Sequence, residues 1–317
     1  MTTTVAVLGP GAVGGTFAAR LLQADFRTVC VAPPATVGLM ALSGISFEAN
    51  GSEPFVVRPE LTERLEQPVS LLLVTVKSPQ LEDALQRVEP ESVASGVGLP
   101  LLNGLEHMEP LRERFGDRVA AGSLSRFEAY RPGRMQVVQK SHTALVTMAS
   151  ESVSGRELEW TADILRRAGI DVEFESSEKR VLWRKVVRLA VLAPIPALTR
   201  RTVGELRTDL EWRPRMEKAI AEACAVAAAD GVSLMPSAQW TRVVEMEHSL
   251  TTSAARDVEA GRKSEIDAIT GAVVRAGGRL VACRGSHRIA RRRRKRGVQC
   301  RVVCGAVVDG GGRRGGG

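Results

Sequence analysis

The sequence lacks any apolar run that approaches the roughly 18–20 residues needed to cross a bilayer, so no membrane span is expected. Residues 1–4 show no secretory signal, which favours a cytoplasmic location. Cysteines are few, and Cys300 and Cys304 have no matching Cys or His pair, so no metal site is predicted. Cys30 and Cys224 lie in apolar stretches and are predicted to be reduced and buried.

The formal net charge of +8 is concentrated at one end of the chain. Residues 279–317 carry 12 basic residues and one acidic residue, which leaves 32 basic and 35 acidic residues in 1–278. The body of the chain is therefore nearly neutral, so the high pI alone does not favour nucleic acid as a partner. Basic residues at 291–296 and a glycine-rich end predict a disordered tail over 283–317. Binding of nucleic acid or an anionic surface through 291–296 remains an alternative hypothesis.

Short aliphatic runs alternate with amphipathic segments in the first half of the chain. Strands are predicted at 4–8, 28–31, 70–76 and 97–102, and helices at 13–23, 81–88 and 108–115. Continuous apolar strands separated by helices are typical of a parallel sheet covered on both faces. Two later runs, at 135–138 and 143–148, are predicted to be antiparallel strands.

The second half of the chain has mainly helical patterns, at 183–198, 213–230, 238–250 and 264–279. A chain of 317 residues is long enough for two domains. We predict an α/β fold in which a Rossmann-type doubly wound parallel sheet domain precedes an all-helical domain. The predicted ranges are 1–175 for dinucleotide binding, 176–282 for the helical substrate and catalytic domain, and 283–317 for the tail.

A glycine-rich loop lies between the first predicted strand and the first predicted helix. In Gly9-x-Gly11-x-x-Gly14, the first glycine permits a tight turn, the second lets the backbone approach a pyrophosphate, and the third permits close helix–strand packing. The start of the helix then attracts the anion. The alternative is a glycine-rich turn of another kind of α/β protein. The predicted cofactor-binding loop is Gly9, Pro10, Gly11, Ala12, Val13 and Gly14.

Six further motifs follow in order along the chain. They are Val74-Thr75-Val76-Lys77 with Gln80, Asn103-Gly104, Trp183-Arg184-Lys185, Gly204-Glu205-Leu206, Thr252-Ser253 with Asp257, and Glu265-Ile266-Asp267 with Gly271. With the glycine loop, this order resembles the ketopantoate reductase (2-dehydropantoate 2-reductase) family over about residues 3–279. The resemblance implies reduction of a 2-keto acid, 2-dehydropantoate to pantoate in pantothenate biosynthesis or a related substrate. It also implies NADP as the cofactor, with NAD not excluded, and leaves a homodimer open.

The resemblance further implies a role for each of five residues. Lys185 matches the lysine that protonates the ketone oxygen, and Glu265 matches a carboxylate near cofactor and substrate. Ser253 matches the serine that binds the substrate carboxylate. Asn103 matches an asparagine between nicotinamide and substrate, and Lys77 matches a lysine beside the cofactor.

Four of these five residues also have a structural alternative. Lys185 could belong to a solvated basic stripe, and Asn103 could serve only as a turn former before Gly104. Ser253 could be a helix N-cap, and Glu265 a surface residue near a helix start. A buried Lys185 would instead need a partner, for which Glu265 is the candidate.

The chain departs from the family pattern at the cofactor and at the substrate. Pro33, in Ala32-Pro33-Pro34, stands where the family commonly has an arginine for the 2′-phosphate, which leaves the choice between NADP and NAD open. Leu189, Ala193 and Val203 stand where the family has asparagines. These changes predict a drier pocket, in a related 2-keto-acid reductase or an impaired ketopantoate reductase. A non-catalytic dinucleotide sensor is the alternative.

Overall fold

The structure, a computed structural model, describes residues 3–278 and divides into two compact units. Within the described residues, the first unit contains 3–102 together with 106–182, and the second contains 103–105 and 183–278. The change of unit thus falls at Leu182 and Trp183, seven residues after the predicted boundary between 175 and 176. The predicted tail at 283–317, with its basic run and three cysteines, lies outside the described residues.

The described part of the first unit has twelve strands and five complete helices. The strands are β1 (Thr4–Leu8), β2 (Arg27–Val31), β3 (Ile45–Ala49), β4 (Phe55–Val57), β5 (Glu60–Thr62), β6 (Leu71–Val74), β7 (Val97–Pro100), β8 (Ala121–Ser125), β9 (Ala129–Tyr130), β10 (Gln136–Gln139), β11 (Leu145–Ala149) and β12 (Asp171–Phe174). The helices are α1 (Ala12–Gln23), α2 (Pro34–Ser43), α3 (Leu81–Leu85), α4 (Met108–Phe115) and α5 (Gly155–Arg167).

Five parallel strands form the central sheet, in the order β5-β2-β1-β6-β7. Every residue of β1 is buried, as expected for a central strand covered on both faces. The order of the strands changes direction at β1. The next strand in the chain, β2, is added on one side of β1, whereas β6 is added on the other side. The predicted Rossmann-type sheet domain is confirmed. Ligands of such sheets bind at the carboxyl ends of the strands beside this reversal.

The two later strand predictions were correct in position, and the predicted antiparallel pairing holds for one of the two neighbours of each strand. β10 lies parallel to β3 and antiparallel to β9, whereas β11 lies parallel to β12 and antiparallel to β8. The helix α5 connects β11 to β12, and a helical crossover of this length returns the chain in the parallel direction. Short apolar runs do not reveal such a crossover.

The core of the first unit forms where α1 packs on the sheets. Phe17, Ala18 and Leu21 are buried at one face of α1, which contacts β1 and β2 of the central sheet and β3, β9 and β10 of a second sheet. Cys30 on β2 is buried and free, as predicted, and burial raises the pKa of its thiol to about 12.

In the described part of the second unit, all the regular elements are helices, which confirms the predicted all-helical region. Its helices are α6 (Glu178–Leu192, which begins in the first unit), α7 (Pro194–Thr199), α8 (Val203–Thr208), α9 (Trp212–Ala229), α10 (Pro236–Val244), α11 (Ser253–Glu259), a π-helical turn at Asp267–Gly271 and a helical stretch at 272–278. Within residues 3–278, none of the helices is both long and apolar enough to cross a membrane. Cys224 on α9 is buried and free, also as predicted.

One predicted helix, over 183–198, is divided in two because of Pro194. Proline has no N–H to donate to the carbonyl four residues earlier, so α6 ends at Leu192 and α7 begins at Pro194. The carbonyl oxygen of Ala190, which loses that partner, accepts a hydrogen bond from the Thr270 hydroxyl at 3.0 Å. This buried bond ties the π-helical turn to α6.

Candidate functional site

The loop after β1 turns sharply at Gly9. Its φ of +87° is strained for any residue with a side chain, and a Cβ at this position would lie 2.3 Å from Cγ1 of Val76. The Gly9 N–H donates to the Val31 carbonyl at 3.1 Å, which fixes the loop to β2. Only glycine therefore permits this turn.

Gly14 permits close packing between α1 and the strand ends. A Cβ on Gly14 would lie 2.4 Å from both the Gly9 oxygen and Oγ1 of Thr75. The Thr75 hydroxyl donates to the carbonyl oxygens of Leu8 and Gly9 at 3.0 and 2.9 Å. The loop after β6 thus holds the loop after β1 in place by hydrogen bonds, at the carboxyl ends of the two strands where the strand order changes direction.

Gly11 occupies open space, in contrast to Gly9 and Gly14. The nearest atom to a Cβ built on Gly11 would be the Gly9 oxygen, at 4.0 Å. Gly11 is the N-cap of α1, and the first turn of that helix contains no acidic residue. An anion can therefore approach the backbone N–H groups at the start of α1 without meeting a side chain or a like charge. This open cradle fits the pyrophosphate of a dinucleotide.

Lys77 lies in the loop after β6 and is partly buried. Because β1 and β6 are neighbouring parallel strands, their following loops meet at one edge of the sheet. Lys77 and the loop from Gly9 to Gly14 are thus on the same edge.

The chain after β2 supplies no charged group at 32–34. Pro33 is exposed and is the N-cap of α2. Arg27 lies at the opposite end of β2, where its guanidinium donates to both carboxylate oxygens of Glu60 at 2.7 and 2.8 Å. Arg27 therefore forms its ion pair at the start of β2, whereas Pro33 follows the other end of that strand.

The second unit contains a cavity that opens to solvent, with about 300 Å³ of empty space when the solvent at its mouth is included. Its polar lining residues are Asn103, Thr252, Ser253, Asp257 and Glu265. Its apolar lining residues are Leu189, Leu192, Ala193, Ala254 and Ile269. Three sequence-predicted site residues, Asn103, Ser253 and Glu265, are thus brought together from distant parts of the chain.

Asn103 and Glu265 interact directly. Nδ2 of Asn103 donates to Oε2 of Glu265 at 3.0 Å. Gly104, with a φ of +113°, brings the backbone so close to Ala268 that a Cβ would lie 2.4 Å from the Ala268 oxygen. The Asn103 side chain therefore does more than form a turn, and Glu265 is not a solvated surface residue.

Lys185 lies on α6, one helical turn before the cavity-lining Leu189. Burial lowers the pKa of the Lys185 ammonium to about 8. The Glu265 carboxylate raises this pKa and the Arg188 guanidinium lowers it. Lys185 therefore does not behave as part of a solvated basic stripe, and Glu265 is the partner expected for it.

One alternative proposed that Ser253 is the N-cap of its helix, and the structure shows that it is not. Thr252 is the cap, and its hydroxyl accepts the Ala255 N–H at 3.2 Å. Ser253 is the first helical residue, exposed at the cavity wall. The capping work is done by its neighbour, so the Ser253 hydroxyl is available to a ligand.

The sequence did not single out Asp257 as a cavity residue. Asp257 is buried, and its Oδ1 accepts a hydrogen bond from Nε of Arg262 at 3.0 Å. The helical spacing of Ser253 and Asp257, four residues apart on α11, was a signal that could have found it.

The three positions that depart from the family pattern lie in two different places in the structure. Leu189 and Ala193 line the cavity, whereas Val203 is fully buried in the core of the second unit. The neighbouring Gly204-Glu205 has a structural role. A Cβ on Gly204 would lie 2.3 Å from Cγ of His248, and the Glu205 carboxylate accepts the Thr202 N–H at 2.7 Å in a capping box.

Two family models match the chain. Residues 5–150 match "Ketopantoate reductase PanE/ApbA", and residues 179–282 match its C-terminal counterpart. The 2-dehydropantoate 2-reductase of Mycobacterium tuberculosis (strain H37Rv) is 30% identical over 284 residues, covering 87% of this chain and 91% of that protein. That of Vibrio cholerae is 27% identical over 278 residues, covering 86% and 90%.

Solved structures show the same fold. A PanE/ApbA family ketopantoate reductase from Ralstonia eutropha JMP134 matches with a TM-score of 0.77 and 26% identity, over 91% of this chain and 97% of that one. D-mandelate dehydrogenase with NADH and anilino(oxo)acetate matches with a TM-score of 0.83 and 20% identity, over 97% and 98%.

The family models and the curated relatives identify the chain as an NAD(P)-dependent oxidoreductase. The family matches cover most of the described chain. The chain belongs to the ketopantoate reductase family, whose reactions reduce keto acids.

Proposed function

We propose that this protein reduces a 2-keto acid to the corresponding 2-hydroxy acid, with Lys185 as the proton donor. The observation that carries the proposal is the partly buried Lys185, whose pKa is lowered to about 8 and which interacts electrostatically with Glu265, a residue of the cavity lining. A general acid works best when its pKa lies near the working pH. Lys185 meets that condition and remains mostly protonated at neutral pH.

A bound reduced nicotinamide supplies the hydride that reaches the carbonyl carbon. As the carbon–oxygen π bond breaks, its electron pair moves to the oxygen, and the Lys185 ammonium donates the proton that completes the hydroxyl. The positive charge of Lys185 also stabilises the developing negative charge on that oxygen. Lys185 is left neutral and must regain a proton from solvent before the next turnover.

The residues of the cavity lining have roles in binding and positioning. The Ser253 hydroxyl binds the substrate carboxylate at the start of α11. Glu265 accepts the hydrogen bond from Asn103 and keeps Lys185 charged against the cost of burial. In the first unit, the loop from Gly9 to Gly14 and Lys77 bind the cofactor.

We further propose NADP as the cofactor, from the family, and 2-dehydropantoate as the first substrate to test. Pro33 provides no charge for a 2′-phosphate, so we expect only a modest preference for NADPH over NADH. A homodimer and a cytoplasmic location stay predictions.

The experiment is a steady-state assay of the purified protein with NADPH and NADH against a panel of 2-keto acids. Loss of nicotinamide absorbance should accompany formation of the 2-hydroxy acid in a one-to-one ratio. Turnover with none of the acids and with neither cofactor would contradict the proposal.

A second candidate is a dinucleotide sensor without catalysis, favoured by the apolar Leu189 and Ala193 at the cavity wall. Micromolar or tighter cofactor binding in calorimetry, together with no turnover in the same assay, would support the sensor over the reductase.

A further inference from the structure

The cavity of the second unit has a continuous apolar wall. Ala193, Ala254 and Ile269 form a buried cluster, and Leu189 and Ile266 pack against it. Four of these five side chains also line the cavity. They come from α6, from Ala193 between α6 and α7, from α11 and from the π-helical turn, so the apolar wall is a product of tertiary packing.

Three of the polar lining groups are already engaged within the protein. Asn103 donates to Glu265 at 3.0 Å, and the Thr252 hydroxyl caps α11. The buried Asp257 carboxylate is paired with Arg262. Under the proposed function, Ser253 binds the substrate carboxylate and Lys185 serves the ketone oxygen. The part of the substrate beyond its keto group is then left to the apolar wall.

We propose that the substrate of this protein is a 2-keto acid whose side chain is wholly apolar, and that Leu189 and Ala193 determine this specificity. The inference rests on the proposed function and narrows it. Neither residue can donate or accept a hydrogen bond through its side chain, so a hydroxyl placed against them loses its bonds to water without replacement. A methyl group at the same place is buried with a gain in stability.

The size of the expected discrimination is limited. An apolar pocket rejects a ligand that merely adds a hydroxyl by roughly a hundredfold at most, because the penalty falls on one group. A pocket that hydrogen-bonds the hydroxyl would reject the analogue lacking it much more strongly. The direction of the preference is therefore as informative as its size.

The test uses a matched pair of substrates, 2-dehydropantoate and an analogue in which a methyl group replaces its terminal hydroxyl. We expect kcat/KM of the wild-type protein to favour the methyl analogue by roughly tenfold to a hundredfold. The dissociation constants of both acids, measured by calorimetry with the protein saturated with oxidised cofactor, should show the same order. A preference for 2-dehydropantoate in either measurement would overturn the inference.

Binding and turnover separate the two proposals. If neither acid is reduced, the proposed function fails, while the dissociation constants still decide whether the cavity prefers the apolar ligand. If both are reduced and 2-dehydropantoate is preferred, the reductase function stands and the apolar specificity fails.

Two substitutions assign the preference to the wall. Leu189→Asn and Ala193→Ser should each shift the ratio of kcat/KM values toward 2-dehydropantoate, by about tenfold for Leu189→Asn. Ala193→Ser is the smaller change and keeps the test available if Leu189→Asn lowers folding stability. Leu198→Asn is the matched control, because Leu198 is 49% exposed on α7 and does not line the cavity. An unchanged ratio in both wall variants would show that the wall does not set specificity.

Discussion

The two units present their ligand-binding groups in different ways. In the first unit, the proposed cofactor cradle is a stretch of six consecutive residues, from Gly9 to Gly14, that works through its backbone. In the second unit, the cavity is built from side chains of Asn103, α6, α11 and the segment at Glu265. Asn103 and Glu265 are 162 positions apart in the chain.

This difference indicates that the second unit can accept substitutions at its ligand-binding positions more easily than the first unit can. A backbone cradle needs glycine at set positions, because a Cβ at Gly9 or Gly14 would overlap its neighbours. A side-chain cavity can exchange single residues, as Leu189 and Ala193 illustrate, and keep its helices. We therefore expect cofactor binding and substrate choice to respond separately to mutation.

The largest effect is expected from Lys185→Ala. Removal of a general acid typically costs about 10²–10⁴-fold in rate, so kcat/KM for the keto acid should fall by that amount. The cofactor dissociation constant, measured by calorimetry, should stay within about twofold. Lys179→Ala, at an exposed position of the same helix, is the control and should keep wild-type activity. Equal losses in both variants would remove Lys185 from the mechanism.

Ser253 and Thr252 offer the next largest contrast. A hydrogen bond to a charged group contributes about 1.5–3 kcal/mol, so Ser253→Ala should raise KM for the keto acid by roughly 10–150-fold with a smaller change in kcat. Thr252→Ala should instead destabilise the fold by about 1 kcal/mol, through loss of the cap on α11. Thermal unfolding and steady-state kinetics of both variants check this. The reverse assignment, with Ser253→Ala lowering Tm, would contradict it.

Gly11 and Gly14 should separate cofactor binding from folding in the first unit. Gly11→Ala places its methyl in open space, so Tm should stay near wild type while cofactor affinity falls by at least about tenfold, or ~1.4 kcal/mol. Gly14→Ala forces a methyl against the Gly9 oxygen and should cost about 1–3 kcal/mol of folding stability. Calorimetric titration and thermal unfolding measure the two effects. Wild-type cofactor affinity in Gly11→Ala would contradict the cradle.

The smallest effects are shifts in the pH profile. Because Lys185 must be protonated to act, kcat/KM should fall as pH rises through its pKa of about 8. Burial lowers that pKa most, Glu265 raises it and Arg188 lowers it. Glu265→Gln should therefore move the alkaline limb to lower pH, and Arg188→Gln should move it to higher pH. If the alkaline limb moves in the same direction in both variants, Lys185 is not the titrating group.

The fold of the first unit was predictable where local pattern and structure coincide. β1 was predicted at 4–8 and found there, because a continuous apolar run before a glycine turn has few other solutions. β3, β8 and α5 were not predicted. β3 belongs to a four-stranded sheet and β8 to a three-stranded sheet, both separate from the central one. Their residues mix apolar and polar types, and their state depends on neighbours that are distant in sequence.

The candidate site was predictable as a set of residues through the family resemblance, without its geometry. Lys185, Asn103, Ser253 and Glu265 were named from motifs, yet no local pattern shows that Asn103 bonds to Glu265 or that Thr252 takes the cap. The break of α6 at Pro194 was missed because the run from 183 to 198 is apolar enough to continue a helix. Val203 was grouped with Leu189 and Ala193, although it belongs to the core.

By itself, the sequence determined where the glycine cradle lies, since Gly9, Gly11 and Gly14 fall within six consecutive residues between an apolar strand and an amphipathic helix. Tertiary structure alone decided which side chains share the cavity and how strongly burial lowers the pKa of Lys185. The physical reason is that desolvation and ion pairing depend on groups brought together in space, and the helix that carries Lys185 meets the segment that carries Glu265 only in the folded chain.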